Sequence, residues 1–245
     1  MTDLPKLQGR VTSLAILDYG LFEVREDERR IGLPGYLIRT DAGEAILVDL
    51  GLPPKYIADP EGAGQGDGLD AFGRVVSVTE ANSPAAQLAL LGLTAADIDL
   101  LVLTHSHIDH IGDLAFAPQA PLLLSAAERA LDRPVYWQTA QPLAWPDRKT
   151  VTITGDTELC PGLTLLDAPG HTPGQLALWL DLPETGPVLL TSDAISRPGE
   201  AFATEAASKT AANLLARAKA AGAFVIYGHW QDQWPRLRKA PDLYC

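Results

Sequence analysis

The chain of 245 residues is 47% hydrophobic and carries 19 basic against 31 acidic side chains, for a formal net charge of -12. This length and apolar content suffice for one large core, so we expect a single domain over residues 1–245, and the acidic balance argues against nucleic acid as a partner. The chain has neither a signal-peptide h-region nor an apolar run near the roughly 20 residues of a membrane helix, so we expect a cytoplasmic protein without a membrane partner.

The first part of the chain reads as strands separated by turns. Residues 11–17, 35–39 and 45–48 are apolar segments, and the turn sequence Asp41-Ala42-Gly43 stands between the last two. This pattern predicts an antiparallel sheet. Residues 60–70 are rich in glycine and charge and show no apolar periodicity, which predicts a mobile surface loop.

The middle of the chain predicts two helices on either side of a buried strand. Residues 83–92 begin with Ser-Pro and end with glycine, which is typical of a short helix. Residues 100–103 are continuously apolar, as in a strand that is buried on both faces. Ser125 and Glu128 have the spacing of a capping box, which predicts a second helix.

The last third of the chain predicts further strands and one long helix. Strands are expected over residues 163–166, 176–180, 188–190 and 224–227. A helix is expected over residues 205–221, and Gly222 would end it. Cys160 and Cys245 are too few for a disulfide framework in a chain of this length, so we expect free thiols.

Three histidines and one aspartate occur within the six residues 105–110, just after the buried strand at residues 100–103. In an extended chain, residues two apart project to the same side, so His105 and His107 can bind one cation together. A following turn would bring Asp109 and His110 toward a neighbouring cation. Imidazole and carboxylate are ligands that suit zinc, and the lack of a cysteine pair argues against a structural finger.

The remaining histidines complete the same set. The chain contains 5 histidines, and the two outside the cluster, His171 and His229, each follow a predicted strand, as does Asp193. Taken alone, each histidine would be an ordinary hydrogen-bonded residue, and Asp193 a cap or turn former. Together with the cluster they predict a site for two cations. A pair of close cations needs ligands from other segments of the chain and an anion that bridges the two.

The order His-x-His-x-Asp-His with a later His, Asp and His resembles the signature of the metallo-β-lactamase superfamily, and Val48-Asp49-Leu50-Gly51 resembles its upstream aspartate motif. The resemblance implies an α/β fold, a four-layer αββα sandwich with two divalent metals along one edge. It implies that the first metal is held by His105, His107 and His171, the second by Asp109, His110 and His229, and that Asp193 bridges them. Asp49 would orient the ligating imidazoles without binding a metal itself.

The resemblance also implies a reaction. Two close cations lower the pKa of a bridging water toward neutrality and stabilise the developing oxyanion, so a hydroxide shared by the metals would be the nucleophile. Asp109 is the expected catalytic residue, which would pass a proton to the leaving oxygen. Zinc is the expected metal, with manganese, cobalt and iron as alternatives. The sequence has no Gly-x-Ser-x-Gly motif and no glycine-rich phosphate loop.

Within the superfamily, the chain is most similar to the lactonases that open N-acyl-homoserine lactones and related lactones, which implies a small ester or lactone as the substrate. The similarity lies in residues 103–113 and 168–174 and in Ser192-Asp193-Ala194. Many of those lactonases have a tyrosine three residues after the bridging aspartate, where this chain has Ser196.

Other interpretations of the sequence stay open. The same site would suit an organophosphate triester or a thioester, an iron-dependent oxidoreductase, or a protein that keeps metals only for stability. A monomer and a homodimer are both compatible with the sequence. Aromatic residues that would line a pocket, and that core packing explains equally well, are Tyr136, Trp137, Trp145, Phe202 and Trp230.

Overall fold

The computed structural model describes residues 7–245. Residues 1–6 belong to the N-terminal segment in which no signal peptide was expected, and they lie outside the described residues. The strands are β1 (Val11–Val24), β2 (Arg30–Thr40), β3 (Ala45–Val48), β4 (Gly73–Ser77), β5 (Leu100–Val102), β6 (Leu122–Ser125), β7 (Thr150–Ile153), β8 (Thr157–Cys160), β9 (Leu163–Asp167), β10 (Leu176–Leu182), β11 (Gly186–Leu190) and β12 (Phe224–Ile226). The helices are α1 (Lys55–Ala58), α2 (Pro60–Asp67), α3 (Pro84–Ala89), α4 (Ile108–Ile111), α5 (Ala126–Arg129) and α6 (Glu205–Ala221).

These strands form two sheets. The larger has seven strands in the order β4-β1-β2-β3-β5-β6-β7, and the smaller has five in the order β12-β11-β10-β9-β8. The first sheet is antiparallel from β4 to β3, as expected for the start of the chain, and parallel from β3 to β7. In the second sheet, β11 and β12 are parallel and the other pairs are antiparallel.

Three clusters of buried apolar side chains join four layers. Side chains alternate between the two faces of a strand, and along β1 Leu14 and Ile16 enter the core between the sheets while Leu17 faces the helices. The second sheet packs its outer face on α6 through Leu214 and Ala218. The αββα sandwich that the resemblance implied is therefore confirmed.

Most predicted elements are present. The strand at residues 45–48 and the helix at residues 205–221 have the predicted bounds, and Gly222 ends that helix with φ of 64°. Strands β4, β6, β7 and β8 were not predicted. Each has only four or five residues, and its extended form depends on pairing with a partner strand, which periodicity does not reveal.

The prediction of a loop over residues 60–70 was wrong, because α2 occupies most of this segment. The Asp59 side chain accepts a hydrogen bond from the Gly62 backbone N–H at 2.9 Å, and Gly68 ends the helix with φ of 72°. Asp67 then anchors its last turn by accepting hydrogen bonds from Lys55 and from two buried tyrosines. Caps and long-range contacts stabilise this helix, not an apolar face.

None of the helices within residues 7–245 combines the length and the apolar character needed to cross a membrane. Cys160 and Cys245 are both free, as predicted.

Candidate metal centre

The predicted ligands lie in segments that follow strands at one edge of the sandwich. His105 and His107 follow β5, and Asp109 and His110 lie in the single turn of α4 that comes next. The other ligands follow strands of the second sheet. His171 comes after β9, Asp193 after β11 and His229 after β12.

The structure brings all of these side chains together in two adjoining groups. Within each group, one ligand atom per residue lies within 4.8 Å of the others. The first group is His105, His107, His171 and Asp193, and the second is Asp109, His110 and His229. This division agrees with the assignment that the resemblance implied.

Asp193 lies between the two groups. Its Oδ1 is 3.1 Å from His229 Nε2 and 3.3 Å from His110 Nε2. Its Oδ2 is 3.3 Å from His171 Nε2 and 3.9 Å from His105 Nε2. Each oxygen of this carboxylate therefore faces a different group, as a bridging ligand would.

The donor set fits a metal ion. Donor atoms bound to a tetrahedral zinc ion at its usual bond lengths are about 3.3 Å apart, and the distances around Asp193 run from 3.1 to 3.9 Å. His105 Nε2, His110 Nε2 and Asp193 Oδ1 are buried and have no hydrogen-bond partner. Such atoms cost free energy when unsatisfied, and a cation between the groups would satisfy them.

Asp49 fixes the orientation of His110 from the side opposite the cluster. This carboxylate is fully buried, and its Oδ2 accepts hydrogen bonds from His110 Nδ1 and from the Thr104 hydroxyl, both at 2.8 Å. Its Oδ1 accepts from the Thr104 backbone N–H at 2.9 Å. Because His110 Nδ1 carries the proton, the lone pair of His110 lies on Nε2, which faces the cluster.

Similar contacts orient two other imidazoles. His229 Nδ1 donates to the carbonyl oxygen of Gly32 at 2.9 Å, which leaves its Nε2 lone pair toward Asp193. The Thr104 hydroxyl gives its proton to Asp49, so His105 Nδ1 donates to this oxygen at 3.1 Å. Sequence reasoning missed Thr104, since its role depends on a contact with a residue 55 positions away.

Burial and mutual repulsion set the charge states of the first group. Burial lowers the pKa of His105 well below its ordinary value, and the neighbouring His110 lowers it further. Burial together with the neighbouring His171 lowers the pKa of His107 to about 4. Both imidazoles are therefore neutral at pH 7, which is the form that binds metals.

In the second group, neighbouring aspartates raise the pKa of a histidine above its ordinary value. Burial opposes protonation of His229, but Asp193 and Asp109 outweigh it and raise the pKa of His229 to about 9. Burial would raise the pKa of Asp193, whereas His229 and His110 hold it well below its ordinary value.

The site opens to solvent on one side, next to an apolar cleft. The side chain of His171 is 33% exposed and that of Asp109 is 20% exposed, whereas His105 and His110 are buried. Asp109 is the one charged residue among those that line the cleft, which are Phe22, Ile31, Leu33, Leu52, Leu69, Phe72, Ile108, Asp109 and Trp137. A small molecule with an apolar tail would reach the ligand cluster through this opening.

Of the aromatic residues considered from sequence, Trp137 lines this cleft and packs on Phe72 with a ring-centroid distance of 5.2 Å. The others make structural contacts. The Trp145 indole donates to a backbone carbonyl, and Trp230 packs on Tyr227. At the place of the lactonase tyrosine, the backbone carbonyl oxygen of Ser196 accepts a hydrogen bond from the backbone N–H of His229 at 2.9 Å and so helps to hold that segment.

The chain is similar to known proteins in both sequence and structure. The sequence pattern of the metallo-β-lactamase superfamily matches residues 35–229. The chain is similar to the N-acyl homoserine lactonase AttM of Azorhizobium caulinodans, with 30% identity in an alignment that covers 87% of this chain and 88% of the relative. It is 29% identical to the N-acyl homoserine lactonase AiiA of Bacillus thuringiensis subsp. kurstaki, over 84% of each chain.

Solved structures show the same similarity. A mutant of Bacillus thuringiensis AiiA with N-decanoyl-L-homoserine bound at its active site superposes with a TM-score of 0.83 and 25% identity, over 96% of this chain and 100% of the other. An N-acyl homoserine lactone hydrolase with the product N-hexanoyl-L-homoserine at its catalytic metal centre gives a TM-score of 0.82 and 25% identity, with the same coverage.

Proposed function

The chain belongs to the metallo-β-lactamase superfamily, and from that premise we propose that it is a single-domain, dinuclear metal-dependent hydrolase that opens N-acyl-homoserine lactones and related lactones. The observation that carries this proposal is the meeting of five imidazoles and two carboxylates beside an apolar cleft. The names of the relatives support the substrate class, since AttM and AiiA are both N-acyl homoserine lactonases. Such an activity would make the protein a quorum-quenching enzyme.

The two ligand groups support one distribution of ligands between two metals. His105, His107 and His171 would hold the first cation, Asp109, His110 and His229 the second, and the Asp193 carboxylate would contact both. We propose zinc, because imidazole with carboxylate is a set that zinc accepts, with manganese, cobalt or iron as alternatives. A bound pair of such cations supplies a water of lowered pKa as the nucleophile and a Lewis acid for the carbonyl.

Asp109 is suited to move the proton that ring opening requires. Lactone hydrolysis adds water across the bond between the acyl carbon and the ring oxygen, so the leaving alkoxide must receive a proton. The Asp109 carboxylate lies 3.4 Å from His229 Nε2 and also lines the cleft, where a substrate would enter. From this place it can take the proton that the attacking water loses and deliver it to the leaving oxygen.

The cleft supports an acyl substrate in particular. Its walls are apolar apart from Asp109, and they include the side chains of Phe22, Phe72 and Trp137. Burying a fatty acyl chain there would remove about 25 cal/mol of unfavourable hydration per Å² of apolar surface. The lactone ring would then lie at the ligand cluster, with its acyl chain in the cleft.

A substrate panel tests the proposal. Metal-replete enzyme is assayed on γ- and δ-lactones, an N-acyl-homoserine lactone, a phosphotriester and a thioester, while bound metals are counted by elemental analysis. We expect about two metals per chain and the highest kcat/KM on the acylated lactone. Turnover of the phosphotriester or the thioester well above that of every lactone would move the enzyme to another hydrolase class.

A pair of matched variants tests whether Asp109 takes part in the reaction. Asp109→Asn should lower kcat on the lactone by about 10²- to 10⁴-fold, which is the usual contribution of a positioned acid or base. Asp113→Asn, in the next turn of the chain and exposed, should retain wild-type turnover. Equal activity of the two variants would remove Asp109 from the mechanism.

A further inference from the structure

Glu128 is a fully buried carboxylate outside the ligand set. Its spacing from Ser125 predicted a capping box, in which its side chain would bond back to the backbone of Ser125. Half of that box is present, since Ser125 Oγ accepts the Glu128 backbone N–H at 3.0 Å. The Glu128 side chain instead extends away from α5, toward two segments that carry metal ligands.

The Glu128 carboxylate accepts three hydrogen bonds. Oε1 accepts from the Ser106 backbone N–H at 2.9 Å and from the Ser106 hydroxyl at 2.5 Å. Oε2 accepts from the Gly174 backbone N–H at 3.1 Å. No ion pair among residues 7–245 includes Glu128. These three donors therefore offset the free-energy cost of burying its carboxylate.

The two partners of Glu128 flank three proposed ligands of the first metal. Ser106 stands between His105 and His107, and Gly174 follows His171 by three residues. The rings of His107 and His171 converge from these two segments, with Nδ1 of one 2.8 Å from Nε2 of the other. Their relative position therefore depends on how the two segments are joined, and Glu128 joins them.

Further contacts brace the segment that carries His107. The Ser106 hydroxyl accepts the Val135 backbone N–H at 2.9 Å, and the Ser106 carbonyl accepts the Tyr136 N–H at 2.9 Å. The Tyr136 carbonyl in turn accepts the Ile108 N–H at 2.9 Å. Hydrogen bonds thus fix the backbone on both sides of His107. The Glu128 carboxylate connects this fixed segment to the segment that carries His171.

Close packing on the other side leaves little room for adjustment. A Cβ added at Gly174 would lie 2.1 Å from Ser125 Oγ and 2.3 Å from the Glu128 backbone nitrogen. The His171 segment therefore lies directly against the start of α5. A larger residue at this position would push the segment away from Glu128.

From these contacts we propose that Glu128 is a positioning residue for the first metal, which ties the His107 and His171 segments together at the spacing that the metal requires. The inference rests on the metal assignment of the proposed function. It does not rest on the substrate, because its consequence is measured as metal affinity. Residues that support ligands in this indirect way typically change metal affinity by about 10- to 100-fold when mutated.

The test compares Glu128→Gln with a matched exposed control, Glu158→Gln. The glutamine amide keeps one oxygen, so its NH₂ group must face either Ser106 or Gly174, both of which are donors. Metal-free proteins are titrated with Zn²⁺ in competition with a chromophoric chelator. We expect two sites in the wild type and in Glu158→Gln, and a loss of about 10- to 100-fold in affinity at one site in Glu128→Gln.

Two reference variants identify which site is weakened. The titration of Glu128→Gln should resemble that of His171→Ala, which removes a ligand of the first metal, and differ from that of His229→Ala. Gly174→Ala would displace the backbone N–H that donates to Glu128 Oε2, so it should weaken the same metal site. Should Glu128→Gln fail to fold by circular dichroism, Ser106→Ala removes one donor to the same carboxylate and takes its place.

The outcomes separate this inference from the proposed function. Unchanged affinities in folded Glu128→Gln, or equal weakening of both sites, would overturn the positioning role. A wild type that binds two metals but turns over no lactone would refute the proposed substrate, and the titrations would still decide the role of Glu128. A wild type that binds no metal would overturn both.

Discussion

Replacing Asp49 by asparagine should weaken both the fold and the metal site, and the structure gives the size of the effect. The Asp49 carboxylate accepts three hydrogen bonds, from the Thr104 N–H, the Thr104 hydroxyl and His110 Nδ1. An asparagine oxygen can keep the two bonds on one side, but its NH₂ group then faces the third donor. Losing one charge-assisted bond in a buried site costs about 2 kcal/mol.

The same change should act on the metal through His110. In either orientation His110 Nδ1 loses its charged acceptor. A neutral amide oxygen at that place leaves the Nε2 lone pair less basic, and an NH₂ group there favours the tautomer with its proton on Nε2, the atom that faces the cluster. We expect metal affinity to fall by about 10- to 100-fold. Denaturant unfolding in excess chelator measures the first effect, and competitive metal titration measures the second.

An exposed aspartate supplies the control for Asp49→Asn. Asp70→Asn, near the end of α2, should match the wild type in both assays. The reasoning would be refuted if Asp49→Asn unfolded at the wild-type denaturant concentration and bound both metals with wild-type affinity.

Three further changes have expected outcomes. Removing the metals with a chelator should lower the melting temperature, because a metal present at 100 times its Kd stabilises the folded state by about 2.7 kcal/mol. A melting temperature that changes with neither chelator nor added zinc would contradict this. Burial alone would raise the pKa of Asp67, yet hydrogen bonds from Lys55 and two tyrosines hold it below 3.8. This stabilisation is therefore present above pH 3.8 and is lost as the pH falls through the lower folded value. Asp67→Asn should accordingly be less stable than the wild type at pH 7, with a difference in unfolding free energy that shrinks below pH 3.8, and a pH-independent difference would remove the ionised carboxylate from the explanation. Trp137→Ala should raise KM for decanoyl- more than for butanoyl-homoserine lactone, since it removes a wall of the cleft; an equal rise for both would place the acyl chain elsewhere.

The grouping of the proposed ligands was predictable because its information is local. His105, His107, Asp109 and His110 fall in one short run, and each remaining proposed ligand follows a strand that periodicity reveals. The division into two groups was then available from the family pattern. Distances within the site were not, since they depend on how two sheets place the ends of strands that are far apart in sequence.

The residues behind the ligands were harder to predict for the same reason. Thr104 and Glu128 act through partners 55 and 22 residues away, and neither residue type signals such a role by itself. The Glu128 spacing even favoured a local capping contact, and the tertiary contact with Ser106 replaced it. The helix α2 was missed because caps and Asp67 stabilise it without an apolar face.

Metal reconstitution tests the central claim most directly. Metal-free enzyme is titrated with Zn²⁺, and hydrolysis of an N-acyl-homoserine lactone is measured at each addition. A dinuclear hydrolase should be inactive without metal and reach its maximal rate near two equivalents per chain. A rate that is unaffected by metal removal, or one that is restored only by a single equivalent of iron, would contradict the assignment.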